Sequence, residues 1–573
     1  MNAPETPRNK ARSADSATPF DPARALELVT DPFGIGQAPA ASAQGWLRHP
    51  WELVQAWGAL GSALAGVQAD WWRCLSEPAP PSSVAVDADG RFSDPLWSLP
   101  PYALLRDAYL TYTHWLEASL FHAPGVDAPT RRRSAFWARQ WLNAWAPSNF
   151  LALNPVALQK AVDSGGLTLA QGFAHFLEDI EFGDVPTVDA GPFRVGVNLA
   201  NTPGAVVFRN HLVEVIQYAA TRQRTRTVPI VLIAPWINKY YILDLSPAKS
   251  LVRHLVDQGF DVFVTSWRNP NSGDAGTRFD DYLVGGTLPA LEVARDICRT
   301  PVVHAAGYCL GGTALAAAMA WCNRGSEAVP VAHWTLLTTL TDFSRPGAIE
   351  VFLDERSLAY LDRLMARQGF LDGRDMGRAF RMLRANSLIW QFAVQRYLYG
   401  ERLPAFDVLY WNADSTRMPR AMHRYYLREF YLNNRLVERD GLTLAGRPID
   451  LRRIRQPLYM VGTEEDHIAP WKATFTLCGL VAAPVRYVLT TSGHILGIIN
   501  PPETSKRAFV AGAAGAEDPV AWQSRQQRVS GSWWKDWVEW LDERCGPWRD
   551  APALGSARFP KLADAPGCYV FET

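Results

Sequence analysis

His304-Ala305-Ala306-Gly307-Tyr308-Cys309-Leu310-Gly311-Gly312-Thr313 is the stretch that decides the fold of this chain. An apolar run from Pro301 to Ala306 ends at a glycine, one reactive side chain follows after a single residue, and two more glycines open a small-residue stretch running to Trp321. The order strand, sharp turn, helix puts Cys309 on a nucleophile elbow, with cysteine in the place usually held by serine. The flanking glycines are required because the turn strains the backbone and brings strand and helix too close for side chains. Cys309 then stands at a helix N-terminus, whose partial positive charge favours thiolate over thiol.

A cysteine nucleophile needs a base, and chain order on an elbow fold places the acid and then the base further along. Leu458 to Val461 reads as a short apolar strand, and the polar loop Gly462 to Trp471 sets Asp466 just past its C-terminal end. Val485 to Leu489 reads as the next strand and leads into Thr490-Thr491-Ser492-Gly493-His494-Ile495-Leu496-Gly497. The order Cys309, Asp466, His494 implies that His494 takes the thiol proton and passes protons to or from a substrate. Asp466 fixes the imidazole tautomer or takes part directly in proton transfer. Asp342 also follows a strand-like run and is the alternative acid. His467, beside Asp466, either lines the site or is a plain loop residue. His304 reads as a satisfied core histidine, and Cys298, Cys322 and Cys478 as small buried hydrophobes without ligand spacing.

Composition sets outer bounds. With 573 residues and 48% hydrophobic content, the chain can bury a large core in at least two structural units. Lys+Arg and Asp+Glu both number 57, so no basic excess points to nucleic acid. Seven scattered cysteines without C-x-x-C pairs argue against a disulfide framework or structural zinc and for a reducing compartment. Met1 to Ser16 lacks the apolar segment of a secretory signal, and no apolar run is long enough to span a bilayer.

Along the chain, residues 1–20 read as a disordered N-terminus rich in Pro, Ala, Ser and charge. Residues 21–190 read as a mainly helical domain, broken around Pro78-Ala79-Pro80-Pro81-Ser82 and ending in a turn-rich boundary at Gly183 to Gly191. In 191–573, strands at Val228 to Ile233, Asp261 to Thr265, Val302 to Ala306, Trp334 to Thr338, Leu458 to Val461 and Val485 to Leu489 alternate with helical stretches. The pattern is α/β, an α/β-hydrolase fold with a mostly parallel sheet covered on both faces and a helical cap inserted at about 345–444. Arg131-Arg132-Arg133 reads as a solvated loop. The tryptophans at 46, 51, 57, 71 and 72 read as core anchors or as a face for a hydrophobic surface.

The elbow box Gly307 to Thr313 resembles that of the polyhydroxyalkanoate synthases, in particular the short-chain class that works without a partner subunit. So do Glu465-Asp466-His467-Ile468-Ala469-Pro470-Trp471, Ser492 to Pro502, Ile237-Asn238-Lys239-Tyr240-Tyr241-Ile242-Leu243-Asp244-Leu245, Ser266-Trp267-Arg268-Asn269-Pro270 and Gly531-Ser532-Trp533-Trp534. The similarity runs from about Ala135 to the C-terminus. It departs at Ala234, where the family pattern calls for a second proline. The resemblance implies a 3-hydroxyacyl-coenzyme A substrate, with (R)-3-hydroxybutyryl-coenzyme A as the expected monomer, and a polyester growing from Cys309. An oxyanion hole would combine the backbone N–H of Leu310 with one from the loop at Trp236. Tyr308, Asn238 and His467 are candidates to line the site. No metal, cofactor or prosthetic group is required. A homodimer, a cytoplasmic location and association with polymer granules are further expectations. The competing readings are a thiol-dependent thioesterase on the same fold and a non-catalytic granule-coat protein.

Overall fold

Segments from residue 204 onward assemble into one sheet of eleven strands in this computed structural model, which describes residues 31–76, 89–503 and 506–573. The expected disordered N-terminus, 1–20, and the break at Pro78 to Ser82 lie outside the described residues. In chain order the strands are Gly204–Arg209 (β1), Val213–Tyr218 (β2), Ile230–Ile233 (β3), Val262–Trp267 (β4), Val303–Tyr308 (β5), Val331–Leu337 (β6), Leu458–Thr463 (β7), Val485–Thr490 (β8), Ala508–Ala514 (β9), Arg528–Ser530 (β10) and Ala563–Asp564 (β11). Their spatial order is β10-β9-β8-β7-β6-β5-β3-β4-β2-β1-β11. From β4 through β3, β5, β6 and β7 to β8 every pairing is parallel. These six are the strands read from the sequence. They are buried almost throughout, which is why they appear there as continuous apolar runs rather than alternating ones. The antiparallel flanks β1, β2, β9, β10 and β11 are additional to them.

Between β6 and β7 lie the helices Glu355–Gln368, Gly373–Leu383 and Asp407–Ala413, interspersed with wide π-type turns at Asn386–Trp390, Val394–Leu398 and Tyr426–Leu432. Before the sheet come Gln37–Arg48, Pro50–Ser76, Pro100–Phe121, Ala128–Ala144, Pro155–Asp163 and Leu167–Phe182. This helical block is tied to the segment between β6 and β7 by buried charge. Arg396 donates to both carboxylate oxygens of Asp179, at 2.7 and 3.0 Å, and Tyr397 Oη donates to the same carboxylate at 2.8 Å. The two segments also touch through backbone, since a Cβ on Gly172 would fall 1.9 Å from the Tyr397 carbonyl oxygen.

One sequence expectation is corrected here. Arg131, Arg132 and Arg133 are not a solvated loop: they sit in the helix Ala128–Ala144, which Asp127 caps through the Thr130 N–H at 3.0 Å. Arg133 is buried, donating Nε to the Val351 carbonyl at 2.9 Å and pairing with Asp354 at 2.5 Å. Its partners are more than two hundred residues away, so local composition alone misreads it.

Candidate active site

The elbow forms where β5 ends. Cys309 has φ 51° and ψ −122°, and the helix Leu310–Cys322 starts at the next residue. Positive φ is strained for any side chain but glycine, and here three hydrogen bonds hold it. The Cys309 N–H donates to Leu337 O on β6 at 3.0 Å, while its carbonyl accepts from Gly312 and Thr313 at 2.9 and 3.1 Å. The glycines serve close approach: a Cβ on Gly307 would lie 2.4 Å from Gly312 Cα, and one on Gly311 would lie 2.2 Å from Ile233 O.

Asp466 follows β7 and is buried. Its Oδ1 accepts the N–H groups of Ile468 and Ala469, both at 2.8 Å, and its Oδ2 meets His494 Nδ1 at 2.7 Å. The backbone donors fix the carboxylate's orientation, and the carboxylate fixes the imidazole. His494 is buried as well, and its ring stacks on Tyr308 with centroids 5.6 Å apart. On its other side it pairs with the Cys309 thiol. Burial alone would depress the imidazole's pKa. The Asp466 carboxylate and the Cys309 sulfur outweigh it and raise the pKa to about 10. The loop carrying His494 is pinned from below, because the indoles of Trp533 and Trp534 donate to Gly497 O and Ile498 O, each at 2.9 Å.

Above these three residues lies a cavity of about 380 Å³. Its floor includes Cys309, Tyr308 and His494, and its roof comes from the segment between β6 and β7, including Phe380, Leu388 and Trp411.

Comparison with known proteins bears on this geometry. Residues 88–255 match the family described as the poly-beta-hydroxybutyrate polymerase (PhaC) N-terminus, and 237–501 match the alpha/beta hydrolase fold. A poly(3-hydroxyalkanoate) polymerase subunit PhaC of Cupriavidus necator is 39% identical over 96% of this chain and 95% of its own length. A poly(3-hydroxyalkanoate) polymerase of Methylorubrum extorquens is 39% identical over 92% of this chain and 88% of its own. The polymerase subunit of Rhizobium meliloti is 40% identical over 92% and 86%. This chain belongs to the poly(3-hydroxyalkanoate) polymerase family. It is an acyltransferase on an α/β-hydrolase fold. The polymerase N-terminus match runs through β1, β2 and β3, so this family signature takes in the first strands of the sheet as well as the helices before it.

Within the family frame, the other sequence candidates fall as follows. Asp342 is tied elsewhere, accepting from Ser344 N and Asn434 Nδ2, both at 2.9 Å, while the carboxylate on His494 is that of Asp466. His467 lines the cavity with an unpartnered Nδ1, and burial lowers its pKa to about 4, so it is neutral. Asn238 lines the cavity and donates to Asn412 O at 3.4 Å. The Trp236 side chain does not reach it. That indole is buried and stacks on Tyr282 at 4.3 Å, while Pro235 and Ile237 on either side of it face the cavity. Leu310 is buried at the first position of the elbow helix. His304 is a core histidine, with Nδ1 2.6 Å from His333 Nδ1 and Nε2 3.0 Å from Thr335 Oγ1.

Sequence reasoning missed the roof: Phe380, Arg384, Leu388 and Trp411. Nothing local marks these residues, because their role exists only once the long segment between β6 and β7 folds back over the elbow. Among the described residues no group of His, Cys, Asp and Glu is placed to hold a metal ion, and no helix is long and apolar enough to cross a membrane.

Proposed function

We propose that the chain polymerises 3-hydroxyacyl-coenzyme A thioesters, with (R)-3-hydroxybutyryl-coenzyme A as the monomer, through a covalent acyl-enzyme on Cys309. The observation that carries this reading is the chain of contacts from Cys309 to His494 to Asp466 on the floor of a mostly apolar cavity of about 380 Å³. With its pKa raised to about 10, His494 takes the Cys309 proton and holds it as imidazolium on Asp466. The thiolate attacks the acyl carbonyl, the carbonyl oxygen becomes an oxyanion, and coenzyme A leaves as its thiol after taking the His494 proton. The N–H of Leu310 is one oxyanion donor, because the first amides of a helix lack intrahelical partners. The loop at Trp236 and Ile237 supplies the other.

Giving that proton to coenzyme A leaves His494 neutral. His494 is then the base for the 3-hydroxyl of the next acyl unit, and Asp466 holds its tautomer. As the chain passes to that hydroxyl oxygen, its proton goes to His494, the carbon–sulfur bond to Cys309 breaks and the sulfur is released. Cys309 then attacks the lengthened chain's coenzyme A thioester, coenzyme A leaves as its thiol, and the polyester stays on Cys309 one unit longer. In the thioesterase reading water takes the place of the hydroxyl. The apolar roof favours the hydroxyacyl nucleophile, since it disfavours ordered water. The chain acts as a homodimer at the surface of cytoplasmic polymer granules.

The test is incubation of the purified protein with 3-hydroxybutyryl-coenzyme A while free thiol and turbidity are followed together. Thiol and turbidity rising in parallel are expected. Thiol release without polymer would establish a thioesterase instead.

A further inference from the structure

The cavity over Cys309 has room for a short acyl group and the end of a pantetheine arm, but about 380 Å³ does not also hold an adenosine nucleotide with three phosphates. The nucleotide of the proposed substrate must therefore rest outside it. Two hollows adjoin the cavity. The larger, about 750 Å³, is a cleft between the N-terminal helices and the segment between β6 and β7, and it meets the cavity at Arg384 and Ser387, which line both. The smaller, about 560 Å³, meets it at Phe406, Glu465, Ser492 and Leu496.

The larger cleft has the chemistry of a nucleotide site. Arg139 and Lys160 enter it from the N-terminal helices and Arg384 from the opposite wall. Arg139 makes a two-pronged pair with Glu117, at 2.8 and 2.6 Å, and Lys160 a single contact with Glu401 at 2.9 Å. About half of each cationic side chain remains exposed, so both can turn charge toward a phosphate in the cleft while keeping their carboxylates. Arg384 is exposed and donates to the Glu465 carbonyl at 3.3 Å, which leaves most of its fork available to a phosphate. On the same wall the Trp390 indole lines the cleft and can stack on a base.

We propose that this cleft binds the nucleotide portion of the acyl-coenzyme A, with Arg139 and Lys160 from the N-terminal helices and Arg384 opposite them holding its phosphates. The pantetheine arm passes between Arg384 and Ser387 to reach Cys309. This rests on the acyl-coenzyme A reading above and extends it by giving the N-terminal helices a direct part in substrate binding.

The full-length protein and its Arg139→Gln, Lys160→Gln double variant are assayed by thiol release with two substrates: 3-hydroxybutyryl-coenzyme A and 3-hydroxybutyryl-pantetheine, which has no nucleotide. The variant is expected to raise KM for the coenzyme A substrate about tenfold, with kcat unchanged and KM for the pantetheine substrate unmoved. Added salt is expected to raise the coenzyme A KM of the parent more than that of the variant. Turnover of the pantetheine substrate by the parent tests the acyl-transfer reading separately. An unchanged ratio of the two KM values overturns the proposal, and so does an equal change for both substrates, which indicates a structural effect. A Lys506→Gln variant in the smaller hollow serves as the counter-test. If it moves the KM ratio and the double variant does not, the nucleotide lies on the other side and the proposal falls.

Discussion

The sheet with its elbow and the N-terminal helical block solve the problem of apolar surface in opposite ways. One continuous cluster of buried side chains runs from Leu199 to Val570 around the sheet, whereas among the described residues the helices contribute two small clusters, one around Phe92, Trp97 and Leu110 and one in which Phe136 and Trp137 pack on Val351. The helices also leave large rings in solvent, with Trp51 72% and Trp145 67% exposed. The sheet needs no partner to bury its core. The helical block depends on contacts with the segment between β6 and β7 for its position, and its outer surface retains apolar area of the kind that marks contact with something else. On the proposed function, chemistry belongs to the first region, and attachment and substrate access to the second.

The sharpest way to break that division is at the elbow. Cys309→Ala is expected to abolish both thiol release and acyl labelling, because the contacts around Cys309 offer no second thiolate. Cys309→Ser is expected to be severely impaired, since a serine hydroxyl is far less ionised near neutral pH. A covalent acyl-enzyme detected by mass spectrometry in the alanine variant would remove Cys309 from the mechanism.

Next in size is the separation of the two carboxylates. Asp466→Asn is expected to lower turnover by on the order of a thousandfold with the fold intact, through loss of the 2.7 Å partner of His494 Nδ1. Asp342→Asn removes bonds to Ser344 and Asn434 and is expected to leave turnover within a few fold. Comparable losses in two folded variants would mean that hydrogen-bond geometry does not identify the acid.

These contrasts also show what a sequence can reveal. Cys309, Asp466 and His494 were legible because each follows a buried strand, and buried parallel strands announce themselves as uninterrupted apolar runs. The hairpin of β1 and β2 was not, since buried Glu214 and Gln217 interrupt the second strand's pattern. Glu214 is tolerated there because Arg209 on the neighbouring strand and the backbone N–H groups of Cys568 and Tyr569, more than 350 residues away, satisfy it. Arg133 misled for the same reason, and the place of the Trp236 ring was not legible, since its aromatic partners Trp267, Phe279 and Tyr282 come from later segments.

The joint between the two regions is the next place to press. Arg396→Met leaves Asp179 buried without its cation, and a loss of about 3 kcal/mol is expected. Limited proteolysis should then release the N-terminal helices while the sheet region stays resistant. Pairing it with Asp179→Asn should recover part of the loss, because the uncompensated charge is gone. Equal protease resistance in parent and variant would show that the block is held by other contacts.

Acid acts on the sheet region through His304 and His333. Burial holds the His304 pKa well below its ordinary value and that of His333 at about 4. The unfolded chain takes up these protons near pH 6.5 and the folded chain does not, so stability falls as pH drops through the window from about 6.5 to 4. For His333 alone the loss by pH 5 is about 2 kcal/mol. His494 acts in the opposite sense: its raised pKa contributes stability that is complete below about 6.5 and disappears as pH rises through about 10. Urea midpoints of a His333→Gln variant should therefore vary less between pH 7 and pH 5 than those of the parent. An identical slope would exclude the pair as the source of acid sensitivity.

The smallest expected effect concerns the outer face of the helical block. Trp51, Trp57 and Trp72 lie on the helix Pro50–Ser76 and are all exposed, while Trp71 between them is partly buried and donates its indole N–H to Pro100 O at 2.6 Å. Trp57 still packs on Trp115 at 4.7 Å and Trp72 on Trp71 at 4.8 Å, each through one edge of a ring that is otherwise in solvent. Replacing the three with serine should lower the melting temperature by a few degrees and leave the initial rate of thiol release close to the parent's, because none of them lines the catalytic cavity or the proposed nucleotide cleft. What should change is partitioning, with a few-fold smaller fraction of protein sedimenting with polymer granules. If the variant sediments like the parent, granule contact lies elsewhere, and the exposed rings of Trp141 and Trp145 become the next to replace. If thiol release falls along with sedimentation before any polymer has formed, attachment and access are not separable functions of the helical block.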